Sequence, residues 1–143
     1  MNITDKFNEW FQGNQDAVFF ADKLWRAAQE WDDLEDEGRC NHNALLSWMA
    51  FGKEYTPFFV ANQAILRPAM LTMYLQWRCA NELEQGTRAD VEKAFMLRAG
   101  IYTVFVLIAW IVGGDEWAAD VGAGIYRTYG ETVDSLYKEF NDA

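Results

Sequence analysis

Cysteine, histidine, proline and clustered basic residues are all scarce in this 143-residue chain, and each scarcity removes a class of function. The two cysteines, Cys40 and Cys79, stand apart and outside any C-x-x-C pair, which excludes a disulfide scaffold and a thiolate zinc site. A sole histidine, His42, excludes a His-rich zinc site and the paired E-x-x-H arrangement of di-iron bundles. No G-x-S-x-G string offers a nucleophilic serine, and neither G-x-G-x-x-G nor G-x-x-x-x-G-K-[ST] offers a phosphate loop. Twelve Lys and Arg against 22 Asp and Glu give a formal charge of -10. With no basic cluster to neutralise phosphates, a nucleic-acid partner is not expected. Met1–Lys6 has no basic region followed by an apolar run, so no signal peptide is expected and the location inferred is cytoplasmic.

What remains is apolar and aromatic. The chain is 51% hydrophobic and 16% aromatic, with seven Trp, enough for one domain with a substantial core. No stretch alternates with period two, and no Asn-Gly or Asp-Gly hairpin signal occurs. Helical signals recur instead. Asn14 reads as a cap before the stripe Val18, Ala21, Trp25, Ala28 and Trp31, which should fail near Gly38. Ala44–Phe51 reads as a short apolar helix, and Thr56-Pro57 as a cap with proline at the first helical position. Pro68 should break or kink the segment that follows, and the hairpin from Tyr55 to Asn81 should be core.

Thr87 and Asp90 approximate a capping box, opening a helix expected to run to Val112 and stop at Gly113-Gly114. Tyr126, Tyr129, Val133, Leu136, Tyr137 and Phe140 predict a final amphipathic helix. Between Arg98 and Asp115 lie 16 uncharged residues, three of them glycine. A membrane span needs about 20, so this helix is expected to be buried in the protein, and no membrane partner is expected. The fold class is all-α: a single soluble domain, 1–143, as a compact helical bundle around a buried apolar helix.

Glu30-Trp31-Asp32-Asp33-Leu34-Glu35-Asp36-Glu37 places six of the 22 acids in eight positions. On a helix, Asp32 and Asp36 share a face at i and i+4. Three readings of the run stay open. It is a solvated helix end, although negative charge there opposes the helix dipole by a few tenths to about 1 kcal/mol per group. Or it supplies carboxylates to Arg78 and Arg98, which lie on otherwise apolar helices and need partners if desolvated. Or Asp32, Asp33 and Asp36 hold Mg²⁺ or Mn²⁺ through hard oxygen ligands, as a small phosphohydrolase would require. Asp32-Asp33-Leu34-Glu35-Asp36 spells D-D-x-x-D and so resembles the metal motif of helical isoprenoid synthases. Those enzymes are much longer and carry a second metal motif, which this chain lacks. Glu30-x-x-Asp33 and Glu131-x-x-Asp134 have a similar distant likeness to helical nucleotide pyrophosphatases, with a different first half and a greater separation. Trp25, Trp31, Trp77 and Trp110 are expected in the core, while Trp10 and Trp117, near helix ends, are candidates for an interface.

Trp31-Asp32-Asp33-Leu34, with Ala109-Trp110-Ile111-Val112-Gly113-Gly114, Trp117 and Gly122 downstream, carries a resemblance to a loose group of small tailed-bacteriophage proteins. These have W-D-D-[LI]-x-D and A-W-[LI]-V-G-G strings in that order. The likeness spans about Ala17 to Phe140, with His42–Ala69 departing most. It implies a phage origin and no particular activity. The expected role is non-enzymatic, through contacts with a protein partner or a second copy, in particle assembly or on a host protein. No cofactor is expected on that reading; the alternative is the Mg- or Mn-dependent phosphohydrolase on the acidic run.

Overall fold

Local capping decides where most helices begin. The computed structural model describes residues 2–39, 41–42 and 56–141; Cys40 and the helix expected at Ala44–Phe51 lie outside them. A 3-10 turn, Ile3–Lys6, leads into α1, Phe7–Trp10. The Asn14 side chain accepts from the Ala17 amide and opens α2, Gln15–Asp36, and Gly38 at φ 70° lies just beyond its end. Thr56 caps α3, Pro57–Ala61, with Pro57 in the first turn as expected. The break that follows falls at Asn62, not at Pro68. Pro68 lies inside α4, Gln63–Leu83, so the helix accepts the lost amide donor and continues.

The Thr87–Asp90 pair is a full capping box for α5, Arg88–Leu97. The helix does not run on to Val112: the backbone turns at Arg98 and Ala99, and α6, Gly100–Arg127, starts afresh. Close packing accompanies the change. A Cβ at Gly100 would lie 2.7 Å from the Gln76 side-chain oxygen and 3.6 Å from the Met73 backbone, so α6 starts in close contact with α4 and a larger residue there would have to displace the Gln76 side chain.

Within α6, Gly114 has φ 87° and ψ −176°, a conformation open essentially to glycine alone. The chain reverses there. In a straight helix Thr103 and Tyr126 would be about 34 Å apart at 1.5 Å per residue, yet their hydroxyls are 2.6 Å apart. Gly122 likewise lies against Val106. Residues 100–113 and 115–127 are therefore two antiparallel arms, and the stop expected at Gly113-Gly114 is the tip of a helical hairpin. By length and composition, Arg88–Arg127 is helical and apolar enough to cross a membrane. Its longest straight apolar run, 100–113, is only about 21 Å long, against about 30 Å for a bilayer core.

The first arm is the spine of the core on one face. Ile101, Tyr102, Val104, Phe105, Ile108 and Ala109 are buried, with Phe105 meeting Phe7 and Trp25. The opposite face is not covered as expected: Thr103 is exposed, and Trp110 is 44% exposed, outside the core to which its stripe assigned it. The hairpin around α4 is core on one side only. Leu66, Met70, Met73 and Tyr74 are buried, while Ile65, Leu71 and Leu75 are exposed. The expected C-terminal stripe is also divided, because residues 128–132 are non-helical and α7, Val133–Asn141, is a separate element. Thr132 and Ser135 exchange side-chain–backbone hydrogen bonds at its start, and Leu136 is buried in a second small cluster with Ala80, Val91 and Ala94. Arg88 on α5 is bonded to Asp134 on α7 at 2.6 Å. The described residues contain no strand, and the all-α class stands.

Candidate functional site

Three elements converge beside the core without closing over it. The C-terminal half of α2, the middle of α4 and the start of α6, with the loop after its second arm, leave a cleft of about 310 Å³. Its walls carry Trp25, Trp31, Tyr74, Trp77, Tyr102 and Tyr129. Helical spacing explains the placement. Trp25 and Trp31 lie on the side of α2 that meets the core, and Tyr74 and Trp77 are one turn apart on α4. Tyr102 comes within 6.1 Å of Trp25 and 5.2 Å of Tyr129, centroid to centroid. The Tyr129 hydroxyl donates to the Phe95 carbonyl at 3.2 Å, which ties the loop after α6 back to α5. Burial pushes Tyr129 up to about 12, and burial first, then Glu131, raises Tyr102. Both hydroxyls stay neutral through the physiological range.

The charged groups of the cleft are Arg98, Asp32 and Glu131. Arg98 has a side chain 21% exposed and pairs with Glu84, only 4% exposed, and with Asp32 at 3.5 Å. Burial alone would push the guanidinium down, but the charges of Glu84 and Asp32 outweigh it and hold Arg98 above its ordinary value. Burial raises the Glu84 carboxyl, and Arg98 offsets only part of that rise. Asp32 also accepts from the Trp77 indole at 3.4 Å. One ion-paired cluster thus joins α2, the end of α4 and the turn before α6.

The acidic run is divided by which way each side chain faces. Asp32 faces inward to Arg98; Glu35 meets His42 at 2.8 Å; Glu37 pairs with Arg39. Asp33 and Asp36 face solvent. Partial burial, then the charge of Asp32, raises the Asp36 carboxyl. The ion-pair reading therefore describes Asp32 with Arg98, and the solvated reading describes Asp33 and Asp36. Among the described residues, no group of three or more His, Cys, Asp and Glu is arranged to hold a metal ion, and Asp32, Asp33 and Asp36 do not converge as one.

Arg78 lies exposed on α4; its guanidinium donates to the Tyr74 hydroxyl at 2.9 Å and lies over the Tyr74 ring at 5.9 Å. Trp10 and Trp117 meet within the chain. Trp10 is 5% exposed, and the half-buried Trp117 donates its indole N–H to the Trp10 carbonyl at 2.8 Å. That bond fixes the second arm of α6 to the N-terminus. Sequence reasoning missed Glu84, the most buried acid in the site. Its one available signal was its place at the end of the apolar α4, fourteen residues before an arginine with no local partner.

No family model, curated protein or solved structure matches the chain. The site must be read from its own chemistry.

Proposed function

We propose that this is a non-enzymatic phage protein that acts through contacts with another protein, in particle assembly or on a host protein, and that the aromatic cleft is its recognition site. One observation carries the reading: the cleft is walled by six aromatic rings, while two of its three charged groups, Arg98 and Asp32, are paired with each other and Arg98 also with Glu84. Aromatic side chains supply large contact area at small entropic cost and dominate the energetics of protein interfaces. A hydrolase needs a nucleophile with a base, or a metal with free ligands. Arg98, Asp32 and Glu84 instead satisfy each other, and the phage origin rests on the two sequence strings. On this reading the protein works in the host cytoplasm or in the virion.

A second reading has one observation in its favour. Asp36 is raised partly by the neighbouring charges of Asp32, Asp33 and Glu35, a repulsion that Mg²⁺ or Mn²⁺ would relieve in a small phosphohydrolase. The deciding experiment compares wild type with Trp77→Leu as bait against infected-cell extract, with folding checked by circular dichroism. A partner retained in fixed stoichiometry by wild type and lost by the variant is expected. Mn²⁺-dependent hydrolysis of a phosphate ester, abolished in Asp32→Asn/Asp36→Asn, would replace the contact reading with the enzyme.

A further inference from the structure

The chemistry of the cleft also specifies what enters it, given the contact reading above on which this inference rests. Its volume of about 310 Å³ lies at the small end of ligand sites. That is room enough for one inserted side chain. Six aromatic rings line it, and the face of an aromatic ring carries a negative quadrupole that attracts cations. Its charges act in the same direction. Asp32 and Glu131 line the cleft with Arg98, and Arg98 is already committed to Asp32 and to Glu84 behind it. Two carboxylates thus flank the one guanidinium, a third, Glu131, lies on the cleft wall, and the whole chain carries -10, so an anionic ligand is opposed at short and long range.

Among cationic side chains, arginine fits better than lysine. A guanidinium is planar and more weakly hydrated than an ammonium, so it loses less on leaving water and stacks flat on aromatic rings. The protein already uses this contact at the edge of the cleft, where Arg78 lies over the ring of Tyr74. We propose that the cleft walled by Trp25, Trp31, Tyr74, Trp77, Tyr102 and Tyr129 receives an arginine side chain of a partner protein, with Glu131 balancing its charge.

The test uses the full chain and three probes at constant ionic strength: Nα-acetyl-arginine amide, Nα-acetyl-citrulline amide and tetramethylammonium. Citrulline keeps the length and planarity of arginine without the charge. The readout is the shift of the Trp77 indole N–H resonance, with the exposed Trp110 as internal control. The arginine probe is expected to saturate in the millimolar range and the citrulline probe to bind at least tenfold more weakly. Glu131→Gln, a half-buried position whose change should leave the fold intact, should weaken the arginine probe several-fold and leave citrulline unaffected. Equal binding of arginine and citrulline would overturn the charge recognition. Tighter binding of tetramethylammonium would reassign the cleft to a small quaternary cation, and a linear, unsaturable shift would remove the site. If the arginine probe fails while Trp77→Leu still loses a stoichiometric partner, only the arginine assignment falls. If the probe binds and no partner depends on Trp77, the protein-partner assignment falls with the contact reading.

Discussion

Arg98 shows how one residue sets the energetics of the cleft. Its partner Glu84 is almost wholly buried, so removing the guanidinium leaves a carboxylate with neither water nor counter-charge. Arg98→Met is therefore expected to cost about 3–5 kcal/mol at neutral pH, and adding Glu84→Leu should recover most of it. Chemical denaturation of the four members of that cycle measures the coupling. The pH dependence has a definite sign. Glu84 is raised above its ordinary value, so the stability it contributes is present in acid and is lost as pH rises through its folded pKa. Without Arg98 the raise is larger. The gap between Arg98→Met and wild type should then narrow as pH falls through the raised Glu84 pKa of the variant and be smallest by the ordinary carboxylate range, and a gap constant from pH 4 to 8 would show that Glu84 is hydrated.

At the scale of elements, the hairpin of α6 depends on backbone conformation more than on side-chain fit. A Cβ at Gly114 would have open space around it, yet its φ of 87° with extended ψ is strained for any other residue. Gly114→Ala should destabilise by about 1–3 kcal/mol with no steric clash. Gly113 is limited differently, because a Cβ there would collide with the Trp117 ring. Thermal melts of Gly114→Ala and of a half-buried helical control, Gly124→Ala, isolate the backbone cost. Gly124 is helical with nothing near its Cβ position, so alanine there should be neutral or stabilising. Equal effects at both positions would argue against the reversal as the site of strain.

For the molecule as a whole, the excess of ten negative charges is a self-repulsion that salt screens. Melting temperature should rise modestly between low salt and 0.15 M NaCl, as the Debye length falls to about 8 Å. Mn²⁺ or Mg²⁺ at matched ionic strength should add little, since only Asp33 and Asp36 of the three candidate acids are solvent-facing. A true metal site would add about 2.7 kcal/mol at a hundredfold excess over Kd. For a domain this size that is a rise of several degrees. Such a metal-specific rise, lost in Asp32→Asn/Asp36→Asn, would overturn the contact reading in favour of the enzyme.

Much of this architecture follows from contacts within one helical turn. Asn14, Thr56-Pro57 and Thr87–Asp90 cap the helices as their types require, and Gly38 and Gly113-Gly114 mark stops, because caps and turns join residues two to four apart. The all-α class follows from the same local signals. Tertiary structure alone decided the rest. The turn at Arg98–Ala99 sets the start of α6 against α4, the choice of Glu84 answers to a neighbour fourteen residues away, and the Trp117–Trp10 bond joins residues 107 apart. Helical periodicity showed which face of α2 carries Trp25 and Trp31 but not what that face would meet. The partners lie on α4 and α6, so the cleft exists only once those helices pack, and its aromatic and acidic character is a property of the assembled fold.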